Sequence, residues 1–322
     1  MANQVVLIVV SIPDIASLNQ GKYLLDKGGW TSGPSVEGQE TWSQGNVRMW
    51  WLNSRLLEED NLDQRWLQQT GEKVSEVIFP SRHVAASGQP SLTVHPIGVM
   101  YCSEEEVKFG GKAGRAPPPN PRLGPWYREL LAIDDASIRD KFEISLETTH
   151  HGPWLKSPSL FIEIGSTEDD WPDEDAAQVL SDIIWRGLGL GGNDGIGRWD
   201  EVTNQGEKVV IGFGGGHYAK RLCSVTANQG VWLGHMLANY AIKMEFPDDK
   251  SWDPLTGDLP KGPWIHAVKE TLHSTKKAFP GGEIWAYLDR KSFKGWQRQS
   301  IRRLLEELDV PIGRTNDIVG SE

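Results

Sequence analysis

Short apolar runs separated by polar turns recur along the chain and set its class before any single residue is weighed. Val5 to Val10, Val74 to Phe79, Ser91 to Val94, Phe142 to Glu147, Leu160 to Ile164, Lys208 to Phe213 and Glu283 to Leu288 all have the length and branched, apolar character of strands. Helical periodicity separates several of them. The clearest helix begins near Pro172, where Asp173, Glu174 and Asp175 suit the positive end of a helix dipole, and Val179, Leu180, Ile183 and Ile184 recur on one face. It stops at the glycine run Gly187 to Gly192, and a second helix is predicted from Lys294 to Leu308. The acid run Glu168 to Asp175 is read as helix-start chemistry, with a metal role as the alternative. Strands alternating with helices mean an α/β protein, with mixed sheet and helices on both faces. Gly110 to Pro125, rich in glycine and proline, is predicted to be a linker or large loop dividing two closely packed lobes, 1–115 and 125–322. Asp248 to Pro263 is a second soft region, and there is no internal repeat.

Length and composition narrow this picture only slightly. A chain of 322 residues, 38% apolar and 24% charged, can bury a substantial core as an ordinary soluble protein. Its 35 glycines imply many tight turns, and its 15 tryptophans serve packing or base stacking. The two cysteines, Cys102 and Cys223, are far apart and fit no metal spacing, so a reduced, cytoplasmic protein without thiol chemistry is expected. The run Val5 to Val10 lacks a preceding basic segment and is too short to span a bilayer, which argues against a signal peptide and a membrane partner.

Net charge changes the picture more. A value of -11 excludes broad, nonspecific coating of nucleic acid, DNA included. Yet from Lys261 to Arg303 ten basic residues face three acidic ones. That zone is either a surface for a phosphate-bearing partner, with Lys276, Lys277, Arg290, Lys291, Lys294 and Arg298 as candidate contacts, or the solvated face of the last long helix.

Candidate chemistry gathers where the strands end. Phe142 to Leu146 leads into Glu147-Thr148-Thr149-His150-His151-Gly152-Pro153, and Val209 to Ile211 leads into Gly212-Phe213-Gly214-Gly215-Gly216-His217-Tyr218. Two further strands lead into His83 and His95. Loops leaving a sheet are where α/β proteins build sites, so a cluster of imidazoles is expected. Paired imidazoles beside Glu147 offer the nitrogen and oxygen donors of a zinc or other divalent site, the alternative being hydrogen-bonded loop histidines. Glu163 interrupts an apolar run, so it is paired, protonated or metal-bound if buried, and unremarkable if its strand lies at an edge facing water. Gly214, Gly215 and Gly216 can point N–H groups at an anion, although the loop matches neither nucleotide-binding fingerprint. His217 beside them is a general base, a ligand or a structural residue. His235, His266 and His273 are predicted to be structural, on helices.

These motifs together resemble the D-aminoacyl-tRNA deacylases of archaea and plants. Ser81-Arg82-His83, Leu92 to Gly98, Thr149 to Pro153, Glu163 to Thr167, Gly214 to Tyr218 and Phe279 to Glu283 carry the likeness, in order and across nearly the whole chain. One departure is Ala219-Lys220-Arg221, where the family pattern has Ala-Pro-Arg; losing the proline frees φ at Lys220. The resemblance implies hydrolysis of the ester between a D-amino acid and the 3′-terminal ribose of a tRNA, D-tyrosyl-tRNA being typical. It also implies two zinc ions per subunit, a grip on the aminoacyl-tRNA acceptor end, and a fold like peptidyl-tRNA hydrolase and phosphorylase-type domains; a monomer is expected. Carried onto this chain, it makes His150, His151, His217 and Glu163 catalytic, and Glu147, His150, His151, Glu163 and His217 the metal-ligand candidates. Gly214, Gly215, Gly216, His83 and His95 would then face the substrate, and Trp264, Trp285 and Trp296 are candidates for base stacking. The competing readings are a peptidyl-tRNA hydrolase or other metal-dependent hydrolase, and a noncatalytic module that binds the tRNA end.

Overall fold

The valine-rich run near the start becomes a central strand because it is apolar on both faces, and only a strand covered from two sides can use that. In a computed structural model, which describes residues 4–101, 103, 105 and 107–319, it forms β1 (Gln4–Ser11). There follow α1 (Ile15–Asp26), β2 (Thr31–Ser32), β3 (Thr41–Gln44), β4 (Val47–Leu52), α2 (Leu62–Thr70), β5 (Lys73–Arg82), β6 (Ser91–His95), α3 (Leu123–Leu131), α4 (Ala136–Lys141), β7 (Glu143–Leu146) and β8 (Ser159–Gly165). The remainder is α5 (Glu174–Gly187), β9 (Lys208–Phe213), α6 (Lys220–Thr226), β10 (Trp232–Leu237), α7 (Trp264–Ala278), β11 (Glu283–Leu288), α8 (Gly295–Glu307), β12 (Ile312–Gly313) and α9 (Thr315–Val319).

Two sheets result. The larger has eight strands in the order β2-β3-β4-β1-β5-β8-β6-β7, and the smaller has four in the order β10-β9-β11-β12. Strands β4, β1, β5 and β8 run parallel, whereas β6 lies antiparallel to β8. The small sheet is parallel throughout. On one face of the large sheet Ile8, Val10, Ile78 and Ile162 pack with Leu24 of α1, Trp126 of α3 and Leu180 of α5. The same cluster runs on through Leu222 and Val225 of α6 to Val210 and Met236 of the small sheet, so the two sheets share one core. The opposite face of the large sheet is covered by Leu62 and Trp66 of α2, that of the small sheet by α7 and α8. This is the mixed α/β architecture with helices on both faces that the pattern predicts. Among the described residues no helix is long and apolar enough to cross a membrane.

Some local expectations change. Segment 110–125 does not separate the sheets, because β7 and β8 follow it yet pair within the large one. Residues 116–120 are buried; Pro119 bridges to Ser159, and the carbonyls of Ala116 and Pro117 accept from the Ser274 hydroxyl at 3.1 and 2.9 Å. Prolines here line a covered strap whose Ala116 and Pro117 carbonyls are satisfied by side chains and whose Pro118 carbonyl accepts from the Ser159 N–H, a state that composition alone does not distinguish from an exposed linker. Asp173 does cap α5, its Oδ1 accepting from the Ala176 N–H at 2.8 Å, and Asp170 instead braces the turn at Ser166 and Thr167. Trp264 is fully buried, which removes it from any stacking role. Cys223 is a half-buried free thiol, and Cys102 lies outside the described residues.

His235 is in β10, not on a helix. It is fully buried, with Nε2 against the Pro117 carbonyl at 3.0 Å and Nδ1 against the Thr149 hydroxyl at 3.1 Å. A carbonyl can only accept, so Nε2 carries the hydrogen and Nδ1 accepts from Thr149. Burial pushes its pKa down from 6.5 to about 3. The unfolded chain therefore binds a proton that the folded chain refuses, and stability present above pH 6.5 is lost as pH falls toward 3. His235→Gln is expected to flatten the pH dependence of urea unfolding between pH 6 and 4 by up to about 1.4 kcal/mol per pH unit. An unchanged slope would show that His235 is not held neutral.

Candidate active site

Glu163 sits at the middle of β8, directly between Ser81 of β5 and Thr93 of β6. A strand paired on both sides is no edge, and the side chain is only 3% exposed, so the water-facing alternative falls away. Because β5 and β6 run in opposite directions, the residues that end them approach this carboxylate from opposite ends. His83 Nδ1 lies 3.5 Å and His95 Nε2 3.4 Å from Glu163 Oε2.

Glu147 arrives from the other direction. Where β7 ends, the chain crosses to the small sheet, and three backbone bonds sew the crossing: Thr148 N–H to the His217 carbonyl at 2.9 Å, Thr149 N–H to Met236 at 2.7 Å and Ala219 N–H to Leu146 at 3.2 Å. Glu147 is thereby fully buried at the junction, with His83 Nδ1 at 3.2 Å from Oε1 and His217 Nε2 at 2.8 Å from Oε2. His150 Nε2 is 3.7 Å from Oε2. Tyr218 closes the far side of His83, its hydroxyl 2.9 Å from Nε2.

Three imidazoles have their tautomers set by backbone carbonyls. Nδ1 of His95 faces the Pro96 oxygen at 3.1 Å, Nδ1 of His150 that of Thr148 at 2.7 Å, and Nδ1 of His151 that of Gly152 at 2.6 Å. Each Nδ1 donates, which turns Nε2 inward and leaves its lone pair free on His150 and His151, the usual arrangement of ligand histidines. Donor atoms of His95, His150 and His151 lie within 4.8 Å of one another, as do those of His83, Glu147 and His217 and those of His95, Glu147 and Glu163. Both Glu147 oxygens and His95 Nε2 are buried without a hydrogen bond of good geometry. Orphaned acceptors of this kind are costly in a folded protein, and a divalent cation would satisfy them. The nitrogen and carboxylate donor set fits zinc.

Electrostatics agree with that division. Burial, reinforced by the other imidazoles, holds His150 well below its ordinary pKa and His151 at about 4, so both are neutral donors near pH 7. Burial would raise Glu147 and Glu163, but the surrounding imidazoles outweigh it and keep both ionised. Burial would likewise lower His83 and His95, and the two carboxylates reverse this. A cation on His95 would therefore take the place of a proton.

The glycine loop is less open than its composition suggests. Gly214 N–H donates to the Leu237 carbonyl at 2.8 Å and Gly215 N–H to the Ser292 hydroxyl at 2.7 Å, so of the three glycine amides only that of Gly216 is uncommitted. The three-amide cradle expected for Gly214, Gly215 and Gly216 reduces to one donor, and His83 and His95 lie against the carboxylates. The basic candidates divide as well. Arg290, Lys291, Lys294 and Arg298 follow the C-terminal end of β11, next to the glycine loop, and Arg298 braces that turn through the Arg290 and Phe293 carbonyls at 3.0 and 2.8 Å. Lys276 and Lys277 precede β11, whose length of 6 residues puts them roughly 20 Å away at the other end of the sheet. They do not join the site. Sequence reasoning missed Tyr218 as the partner of His83 and Tyr240, whose hydroxyl is 3.5 Å from His217 Nδ1; Tyr218 had a signal in its position beside His217, and Tyr240 had none.

Gly214 has φ +103°, and a Cβ there would come within 2.8 Å of the Phe293 ring, whereas one on Gly216 would meet nothing within 4 Å. Gly214→Ala is expected to lower stability by about 1–3 kcal/mol and Gly216→Ala by about 0.5 kcal/mol or less, read from urea unfolding. Equal losses would contradict the packing described.

Known proteins are similar to this chain in sequence and fold. Residues 70–313 match the model of the family described as D-aminoacyl-tRNA deacylase. A protein of Arabidopsis thaliana named D-aminoacyl-tRNA deacylase is 44% identical over 97% of this chain and 99% of its own length. One of the same name from Methanosarcina barkeri is 28% identical over 97% of this chain and 90% of its own. In fold the chain is similar to the crystal structure of the conserved protein of unknown function AF0625, with TM-score 0.75, 23% identity and coverage of 99% and 98%. On the family match and the plant relative together, the chain belongs to the D-aminoacyl-tRNA deacylase family.

Proposed function

We propose that this chain hydrolyses the ester joining a D-amino acid to the 3′-terminal ribose of tRNA, D-tyrosyl-tRNA among its substrates, with zinc bound at the junction of the two sheets. The observation that supports this most is the meeting of five imidazoles with two buried, ionised carboxylates, in a chain whose plant relative is named for that reaction. A zinc ion held by His95, His150 and His151 would supply Lewis acidity toward the ester carbonyl and a readily ionised water at neutral pH.

The chain's own groups divide the remaining work. Glu163 orients His95 and His83 from one side, while the carbonyls of Pro96, Thr148 and Gly152 fix which ring nitrogens point inward. His217 is a third exposed, with Nε2 on Glu147 and Nδ1 toward the opening beside Tyr240. In that posture it accepts the proton from the attacking water and returns it to the departing ribose oxygen. Glu147 meanwhile stabilises the imidazolium, as the third member of a catalytic triad does. Gly216 N–H is the donor available to the developing oxyanion. The second donor group, His83, Glu147 and His217, is where the second ion implied by the resemblance would go, at the expense of that proton transfer.

Purified protein is expected to carry at least one equivalent of zinc and to release D-tyrosine but not L-tyrosine from charged tRNA. Equal turnover of the two enantiomers would remove the chiral assignment, and faster turnover of N-acetyl-aminoacyl-tRNA would favour a peptidyl-tRNA hydrolase. His150→Ala should lower zinc affinity and kcat each by about a hundredfold or more. Full activity in zinc-free protein would end the metal reading.

A further inference from the structure

Beside the buried cluster, and sharing His217 and Tyr218 with it, lies a cavity of about 390 Å3 lined by Gly214 to Tyr218, Lys220, Arg221, Tyr287 and Asp289. That volume is in the range of small-ligand sites, roughly 300–1,000 Å3. Its place in the fold is also one where ligands bind. Strand β9 connects through α6 to β10 on one side, and the chain then returns through α7 to β11 on the other. Helices α6 and α7 accordingly belong to different core clusters. The C-terminal ends of β9 and β11 therefore flank the point where strand order reverses, and the crevice opens there.

We propose that this crevice seats the 3′-terminal nucleotide of the tRNA, with its ring against Tyr287 and its phosphate on Lys220 and Arg221, so that the acylated ribose oxygen lies beside His217. The inference rests on the reading that aminoacyl-tRNA is the substrate. The lining suits a phosphate-bearing group better than an amino-acid side chain, since it combines glycine backbone, two cations and a phenol ring. Arg221 is held by Nε at 3.1 Å from Asp289 Oδ1 and is 48% exposed, which leaves guanidinium N–H groups for a phosphate. Lys220 is 78% exposed, and its 3.6 Å contact with Glu143 is a surface pair worth little, so it is free to turn toward the crevice. From Asp289 the surface continues directly into Arg290 and Lys291, then Lys294, a path of positive charge along which the preceding phosphates of the acceptor strand can leave. The lysine at 220 thus adds a phosphate contact.

Adenosine 5′-monophosphate copies the terminal nucleotide without the ester and is the probe. With the full chain and D-tyrosyl-tRNA it is expected to raise apparent KM without changing kcat. Arg221→Gln is expected to raise both KM and the inhibition constant by about tenfold to a hundredfold, leaving kcat within about twofold. Tyr287→Leu should weaken both by about tenfold through lost stacking. Normal turnover with no competition by the nucleotide, or with wild-type KM in both variants, would overturn the assignment while leaving the deacylase reading intact. A wild-type chain that binds the nucleotide by calorimetry yet cleaves no aminoacyl-tRNA would instead overturn the deacylase reading, and the acylated-ribose placement with it, while leaving a nucleotide site in the crevice.

Discussion

Two carboxylates removed from water at the seam between two sheets impose the conditions that the rest of the site obeys. Glu147 and Glu163 are 0% and 3% exposed, and neither makes an ion pair with lysine or arginine among the described residues. Among the described residues their counter-groups are imidazoles. A buried charge without a partner is strongly destabilising, so the fold must bring His83, His95 and His217 to them, or a cation must do so. That requirement explains why residues spread from position 83 to 217 lie at one place.

The junction is rigid for reasons that lie outside the chemistry. His235 holds Thr149 from the small sheet while Pro117 and Ser274 hold His235, so the loop carrying His150 and His151 is fixed by a side chain that touches no reactive group. The backbone bonds of Thr148 and Thr149 tie the same loop to β9 and β10. Positioning of this kind lets neutral imidazoles present lone pairs at fixed distances, which a mobile loop would not sustain. The open side of the seam, by contrast, is built of glycine, exposed cations and tyrosines, as suits a surface that must admit a large and flexible substrate.

Much of this was legible in the chain itself. Strand-end histidines at 83, 95, 150, 151 and 217 were readable because apolar runs end where they begin, and Glu163 stood out as a carboxylate inside such a run. What was not legible was pairing across distance. Nothing in Trp232 to Leu237 marks β10 as a strand rather than a helix, because the run lacks alternation, so His235 was misplaced. Lys276 and Lys277 joined the basic zone by proximity in sequence, although β11 carries the chain to the far end of the sheet between them and Arg290. Gly214 and Gly215 looked like free donors until the Leu237 carbonyl and the Ser292 hydroxyl claimed them. The strap at 116–120 shows the same limit, since proline records a lost donor and a fixed φ but says nothing of what covers it.

The most direct test is anomalous scattering on crystals of the zinc-loaded protein, measured on either side of the zinc absorption edge. A peak bounded by Nε2 of His95, His150 and His151, absent below the edge, is the expected result. Zinc bound elsewhere, with those three rings left facing only water, would contradict it.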